Sequence, residues 1–228
     1  MIKKGDFIKI DFTGFIKDTN EVFDTSIKSV ADNAGLDTQN AIFEPVIICV
    51  GENFILPKLE SMLIGKDIGK FTFDIEAENA FGKKQANMLK VFNTNFFLKN
   101  EIMPQPGLQV NIDGRLGTIR SVTGGRTIVD FNHPLAGKDL RYEIEVKSFV
   151  TDTNEKLKAV LAHMSKLDRS VFKTDFREGK AVVNITTQMP QEVEKILEKK
   201  IKELIPEIKE ISFIISEEKR DDKKDGEG

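Results

Sequence analysis

The sequence predicts an α+β protein: an antiparallel β-sheet wrapped on one short helix, a small β-rich inserted domain, and a C-terminal α-β-β-α-β domain. Three observations carry the prediction. Apolar residues recur with period two over the first 75 residues, apart from one helical stretch. Between residues 84 and 132, Asp-Gly and Gly-Gly pairs punctuate short apolar runs. After Asp152 the spacing turns helical twice, on either side of two short strands.

Asp6–Ile16 alternates, with Phe7, Ile8, Ile10 and Phe12 in the first strand, and Gly14 marks a bulge or a close approach of another segment. Thr19-Asn20 is a turn and Glu21–Asp24 a second strand. Residues 25–42 are polar, with Gly, Asn and Asp, so an irregular loop with one helical turn is expected. Val46–Val50 is a continuous apolar run ended by Gly51, the pattern of a buried strand. Ile55, Leu56, Leu59, Met62 and Leu63 then fall at helical spacing. Pro57 suits the first turn of that helix, where a missing N–H costs little, and Gly65 suits its end. Lys70–Glu76 alternates again, with Phe71, Phe73 and Ile75 on one face.

Asn87–Phe97 is apolar without a clean period. Pro104-Gln105-Pro106-Gly107 is a turn, and strands are expected at Gln109–Ile112, Gly117–Val122 and Thr127–Phe131. Asp113-Gly114 and Gly124-Gly125 are hairpin signals between them. Leu140, Tyr142, Ile144 and Val146 alternate in the style of the first segment. Asp152-x-x-Glu155 has the form of a capping box, and Leu157, Val160, Leu161 and Met164 continue as a helix. Residues 170–176 and 181–187 read as strands, Pro190 opens a second helix that stops before Pro206, and Ile208–Ile215 is a last strand. The domains are expected at 1–83 with 136–150, at 84–135 and at 151–216, followed by a disordered charged tail at 217–228.

Composition then excludes several functions. Lys and Arg number 34 against 37 Asp and Glu, a net charge of −3, so no nucleic-acid partner is expected. One Cys excludes an internal disulfide and a thiolate cluster, and suits a reducing cytoplasm. Two His, at 133 and 163, leave little for an imidazole metal site or a Ser/His triad, so no metal and no cofactor are expected. Met1–Ile10 alternates charge and hydrophobe, so no signal peptide is expected, and no run approaches the ~18 apolar residues of a membrane span. There is no Gly-rich phosphate loop and no nucleophile elbow. Any chemistry must therefore proceed without a nucleophile or a metal. One oddity remains: 17 Phe against one Tyr and no Trp.

Several ordered groups stand out: Ile10-Asp11-Phe12-Thr13-Gly14-Phe15, Val22-Phe23-Asp24-Thr25-Ser26, Val50-Gly51, Ile55-Leu56-Pro57-Lys58-Leu59-Glu60, Ile68-Gly69 and Ala80-Phe81-Gly82. In this order they resemble the FKBP family of peptidyl-prolyl cis–trans isomerases. The segment Asn132-His133-Pro134-Leu135-Ala136-Gly137-Lys138-Asp139-Leu140 resembles the SlyD-like branch, in which a chaperone domain, the insert in flap, interrupts the loop before the last strand. The extension from residue 151 is similar to that of the longer archaeal members. The resemblance covers residues 1–150 firmly and 151–216 loosely.

The resemblance implies an FKBP-like fold and an apolar pocket for a proline ring. Its catalytic set would be Phe12, Phe23, Asp24, Leu56, Leu59, Phe81 and Tyr142, with Val46, Ile47 and Ile55 also binding substrate. Leu59 stands where many relatives have Trp, and Asp24 would be the buried carboxylate that orients the site. The backbone N–H near Leu56 would hold a residue beside the proline. Phe12 and Phe81 replace tyrosines of the family, which removes two hydroxyls; each lost hydrogen bond weakens ligand binding by ~0.5–1.5 kcal/mol. Such a reaction suits a chain without nucleophiles. It rotates a C–N bond over a barrier of ~18–20 kcal/mol and breaks no covalent bond. A dry pocket that favours the twisted, less polar amide over the planar one is sufficient catalysis.

Met88, Phe92, Phe96, Phe97 and Met103 are either the core of the insert or an exposed groove for unfolded clients, since a small insert cannot bury everything. Asp24 also has the plainer reading of a turn cap. His133 is read as structural, His163 as a helix-surface residue and Cys49 as a small buried hydrophobe. The expected partners are unfolded polypeptides with Xaa-Pro bonds, with neither nucleic acid nor membrane. A homodimer through the C-terminal domain would cover a sheet face carrying Val171, Val182 and Ile214. Two functions stand side by side: an isomerase whose insert also holds clients, and a holdase with a vestigial pocket.

Overall fold

A computed structural model describes residues 1–38, 41–185 and 189–215, so the expected tail lies outside the described residues. The chain divides into two units, one of Met1–Thr13, Asp24–Thr72 and Glu143–Gly228, the other of Gly14–Phe23 and Phe73–Tyr142. Both are mixed α and β, with mainly antiparallel sheets.

The first segment supplies β1 (Phe7–Ile16), β2 (Val22–Thr25), α1 (Lys28–Ala34), β3 (Val46–Cys49), α2 (Pro57–Leu63) and β4 (Gly69–Ile75). With β9 (Leu140–Phe149) the strands form a sheet ordered β2-β1-β9-β4, and β3 pairs antiparallel with β1. The expected close approach at Gly14 is real: a Cβ there would meet the Phe23 ring at 2.6 Å. Pro57 opens α2, and the helix ends at Ile64, one residue before Gly65 takes a left-handed φ of 81°. Residues 25–38 hold more order than expected, and residues 39–40 of that segment lie outside the described residues. The seven-residue α1 buries Ala31 and is closed by Gly35 at φ 68°.

The β1–β3 pair has two faces. Ile8, Ile10 and Ile48 are buried on one. Phe7, Ile47 and Cys49 are buried on the other, in one core cluster with residues of the C-terminal segment. Burial raises the Cys49 thiol pKa to about 12.

The insert forms β5 (Leu89–Asn93), α3 (Thr94–Lys99), β6 (Gln109–Ile112), β7 (Arg115–Thr123) and β8 (Arg126–Asp130), in an antiparallel sheet ordered β5-β8-β7-β6. Both hairpin signals hold: Asp113 and Gly114 have φ of 51° and 77°, Gly124 and Gly125 of 55° and 74°. Two successive positive φ angles match the right-handed twist of the flanking strands. β5 and α3 are not legible from the aperiodic run 87–97. Phe97, Val110, Ile112, Ile119 and Val129 are the buried core of this sheet. At its neck the Asn132 amide bridges to Gln85: its Oδ1 accepts the Gln85 N–H at 2.8 Å and its Nδ2 donates to the Gln85 carbonyl at 3.1 Å.

The C-terminal segment runs α4 (Thr153–Ser165), β10 (Lys173–Arg177), β11 (Lys180–Ile185), α5 (Gln191–Leu204) and β12 (Glu210–Ile215), the expected order. The Asp152 carboxylate accepts the Glu155 N–H at 2.8 Å, capping α4. β10 pairs antiparallel and β12 parallel with β11. Val171 lies in a 3-10 turn rather than a strand, because Asp168 caps that turn through the Ser170 N–H, so it is not on the sheet. The outward face alternates Val182 and Asn184 with Ser212 and Ile214, half of them polar.

Candidate active site

In the first unit, the chain around Phe12 and Asp24 is tied by a local network. The Phe12 N–H donates to the Ser26 hydroxyl at 2.9 Å, and the Phe12 carbonyl accepts from the Thr25 hydroxyl at 2.9 Å. The Ser26 hydroxyl donates in turn to Asp11 at 2.9 Å. These bonds fix the start of α1 against β1 and set both Phe12, half-buried, and Asp24. Asp24 departs from expectation: its side chain is exposed rather than buried. Protein packed around the carboxyl nevertheless raises its pKa through desolvation, with the Thr25 backbone N–H opposing. A carboxyl that reaches water can still lose part of its hydration to the protein around it, which reconciles the two observations.

The loop entering α2 is held by a carboxylate that the sequence motif contained but whose role no spacing shows. Glu60 is buried, and its oxygens accept three backbone N–H groups: Gly51 at 2.6 Å, Asn53 at 3.1 Å and Ile55 at 3.0 Å. The loop is thereby wound around one side chain. Ile55 and Leu56 remain half-buried, and among the described residues the Leu56 N–H has no acceptor. Leu59 is fully buried on α2. Val46 is half-buried at the start of β3. Ile47, expected beside it, is not presented to a ligand. Adjacent strand residues point to opposite faces, and its side chain lies in the core with Leu157 and Val160.

In the second unit, Phe23 meets Tyr142 edge-on, with centroids 5.7 Å apart and planes at 87°. Phe81 is stacked flat on His133, at 4.3 Å and 3°. The Leu135 N–H donates to His133 Nδ1 at 3.1 Å, which fixes the imidazole over the ring. The sequence read His133 as structural and gave no sign of this stack.

The insert residues divide. Phe97 is fully buried and belongs to the core of the insert, so it cannot face a client. Phe92 is half-buried between the rings of Phe96, Phe97 and Phe131, and Met88 is half-buried. Phe96 is exposed, and Met103 is 77% exposed. Leu89, Val91, Leu98 and Leu116 are exposed as well; the first three escaped sequence reasoning because the edge strand β5 and the short helix α3 share no period. Among the described residues no group of three or more His, Cys, Asp or Glu could hold a metal ion. No helix there is long and apolar enough to cross a membrane.

Comparison with known proteins places these features in context. The family model described as "FKBP26, IF domain" matches residues 94–135. A short-type peptidyl-prolyl cis–trans isomerase of Methanocaldococcus jannaschii is 30% identical over 148 residues, covering 64% of this chain and 93% of the relative. The FKBP-type 16 kDa peptidyl-prolyl cis–trans isomerase of Escherichia coli is 34% identical over 109 residues, 45% of this chain and 72% of the relative. The FKBP-type peptidyl-prolyl cis–trans isomerase SlyD of Treponema pallidum is 34% identical over 116 residues, 49% and 65% respectively.

Proposed function

The chain belongs to the FKBP-type peptidyl-prolyl cis–trans isomerase family, and we propose that it turns over Xaa-Pro bonds with Phe12, Phe23, Asp24, Leu56, Leu59, Phe81 and Tyr142, while its insert holds unfolded clients. The observation that carries the reading is the correspondence with 93% of the archaeal short-type isomerase. Of these, the half-buried Phe12, Phe23, Leu56 and Phe81 grip the proline ring, and the fully buried Leu59 contributes as packing. The unsatisfied Leu56 N–H offers a donor to the peptide carbonyl beside it. With Phe at 12 and 81, the site discriminates by apolar shape more than by hydroxyl contacts. Differential binding of the twisted amide lowers the barrier without any covalent step.

Asp24 supplies the field. Asp24→Asn is expected to lower kcat/KM for a proline tetrapeptide roughly tenfold, equivalent to about 1.4 kcal/mol of transition-state binding. Its stability moves the other way. Burial raises the carboxyl pKa above the ordinary 3.8, so the fold disfavours the ionised form. As pH rises past 3.8 through the raised value, the unfolded chain ionises first and the fold loses stability. Asn removes that loss, so the variant should melt no lower than the parent at pH 7. A protease-coupled assay and thermal melts check both halves, and unchanged turnover would refute the role.

The client-holding role rests on Val91, Phe96, Leu98 and Met103 of the insert, large apolar side chains left exposed to solvent. Homodimerisation is part of the same proposal. Val182 and Ile214, on the outward face of the C-terminal sheet, would be covered. Light scattering of the full chain should then give twice the monomer mass, and truncation at residue 150 should give one.

A further inference from the structure

The loop 51–55 alternates its attachments. The N–H groups of Gly51, Asn53 and Ile55 all point to Glu60, on the isomerase side. The side chains of the two residues between them are held by the C-terminal segment instead. Phe54 stacks on His163 of α4, with ring centroids 4.0 Å apart and planes within 9°. Glu52 accepts from Lys200 of α5 at 2.7 Å, and both partners are largely shielded from solvent. The stack stands between two cavities. One of about 420 Å³ is lined by Val160, Met164 and Ile196, and one of about 220 Å³ by Val46, Ala162 and Leu167. Phe54 and His163 line both cavities, so the ring pair is flanked by open space on two sides, although Phe54 also packs against the core cluster.

We infer that His163 and Lys200 are positioning residues for prolyl isomerisation: through Phe54 and Glu52 the C-terminal domain sets the place of Ile55 and the Leu56 N–H. This rests on the reading that Ile55 and Leu56 contact substrate. A loop gripped on alternate residues from two sides cannot slide without breaking one set of contacts. The isolated expectation for His163, a helix-surface residue, fails because its partner comes from a different part of the chain. Burial also lowers the His163 pKa, with Lys166 adding to it and Glu60 opposing, which favours the neutral imidazole.

The donor at Leu56 contacts the planar and the twisted amide alike, so loosening it should weaken binding more than turnover. In the full-length chain, His163→Ala is expected to raise KM for a proline tetrapeptide about fivefold with kcat within twofold, the size of a lost aromatic pair. His163→Phe, which retains a stacking ring, should restore KM. Lys200→Met should raise KM about threefold. An unchanged KM in His163→Ala, or an equal rise in the Ala and Phe variants at similar melting temperatures, would overturn the inference. Asp24→Asn measured in parallel separates the two levels. If it slows turnover and His163→Ala does nothing, only the positioning role falls. If Asp24→Asn has no effect either, the assignment of the site itself falls.

Discussion

Glu60→Ala is expected to destabilise the fold by about 2–4 kcal/mol and to reduce kcat/KM by at least tenfold. The carboxylate satisfies three N–H groups of one loop, and removal leaves each without its partner in a part-buried setting. An unpaired buried donor costs about 1–3 kcal/mol, and water entering the vacated space recovers some of that. Glu60→Gln is the instructive comparison. Its amide keeps one acceptor oxygen but points an NH₂ at a backbone donor, so it should fall between the parent and Ala. Urea melts give the stability order, and the tetrapeptide assay gives the activity order. Ala and Gln behaving alike would mean that volume, not acceptor capacity, is what the loop requires.

The second large effect concerns the insert. Excising residues 86–131 should leave tetrapeptide turnover within a few-fold. Acceleration of a proline-limited refolding reaction should fall about 100-fold, and suppression of aggregation should be lost. The magnitude follows from tethering: a client held beside the site meets it at an effective concentration that free collision does not reach, a gain of 10²–10⁴. The neck makes the excision feasible, because Gln85 and Asn132 are already joined by two hydrogen bonds. If refolding acceleration survives intact, the insert does not deliver clients. If even the parent chain leaves the tetrapeptide unturned, holding is what remains.

Much of the fold could be read from residue order because it depends on local pattern. Alternation located β1, β4 and β9, the Asp-Gly and Gly-Gly pairs located both hairpins, and Asp152 with Glu155 located the start of α4. What escaped depends on contacts between distant segments or on backbone. The run Val46–Val50 is apolar throughout, so nothing in it distinguishes Ile47, which faces the C-terminal core, from Ile48 on the opposite side. Helix α1 carries no apolar stripe; only Ala31 is buried, and Lys28 and Asp32 make the segment look like loop. Phe92 and Phe97 pack together across a strand-to-helix boundary, which mixes two periods into none. The site motif located Glu60, Phe81 and Asp24. It could not show that the first grips backbone, that the second lies under an imidazole, or that the third reaches solvent.

The strand order bears on how the chain is made. β9 lies between β1 and β4, although it is the last of the sheet's strands to be synthesised. Until residues 140–149 leave the ribosome, the sheet lacks an inner strand and β1 has no partner on that side. The insert suffers no such delay, since β5 to β8 are complete by residue 130 and pair only with one another. On a nascent chain growing at about 5–20 residues per second, the β5–β8 sheet can therefore close before the sheet of β1 and β4 receives its inner strand. The later sheet is then completed on a chain whose middle segment has already paired.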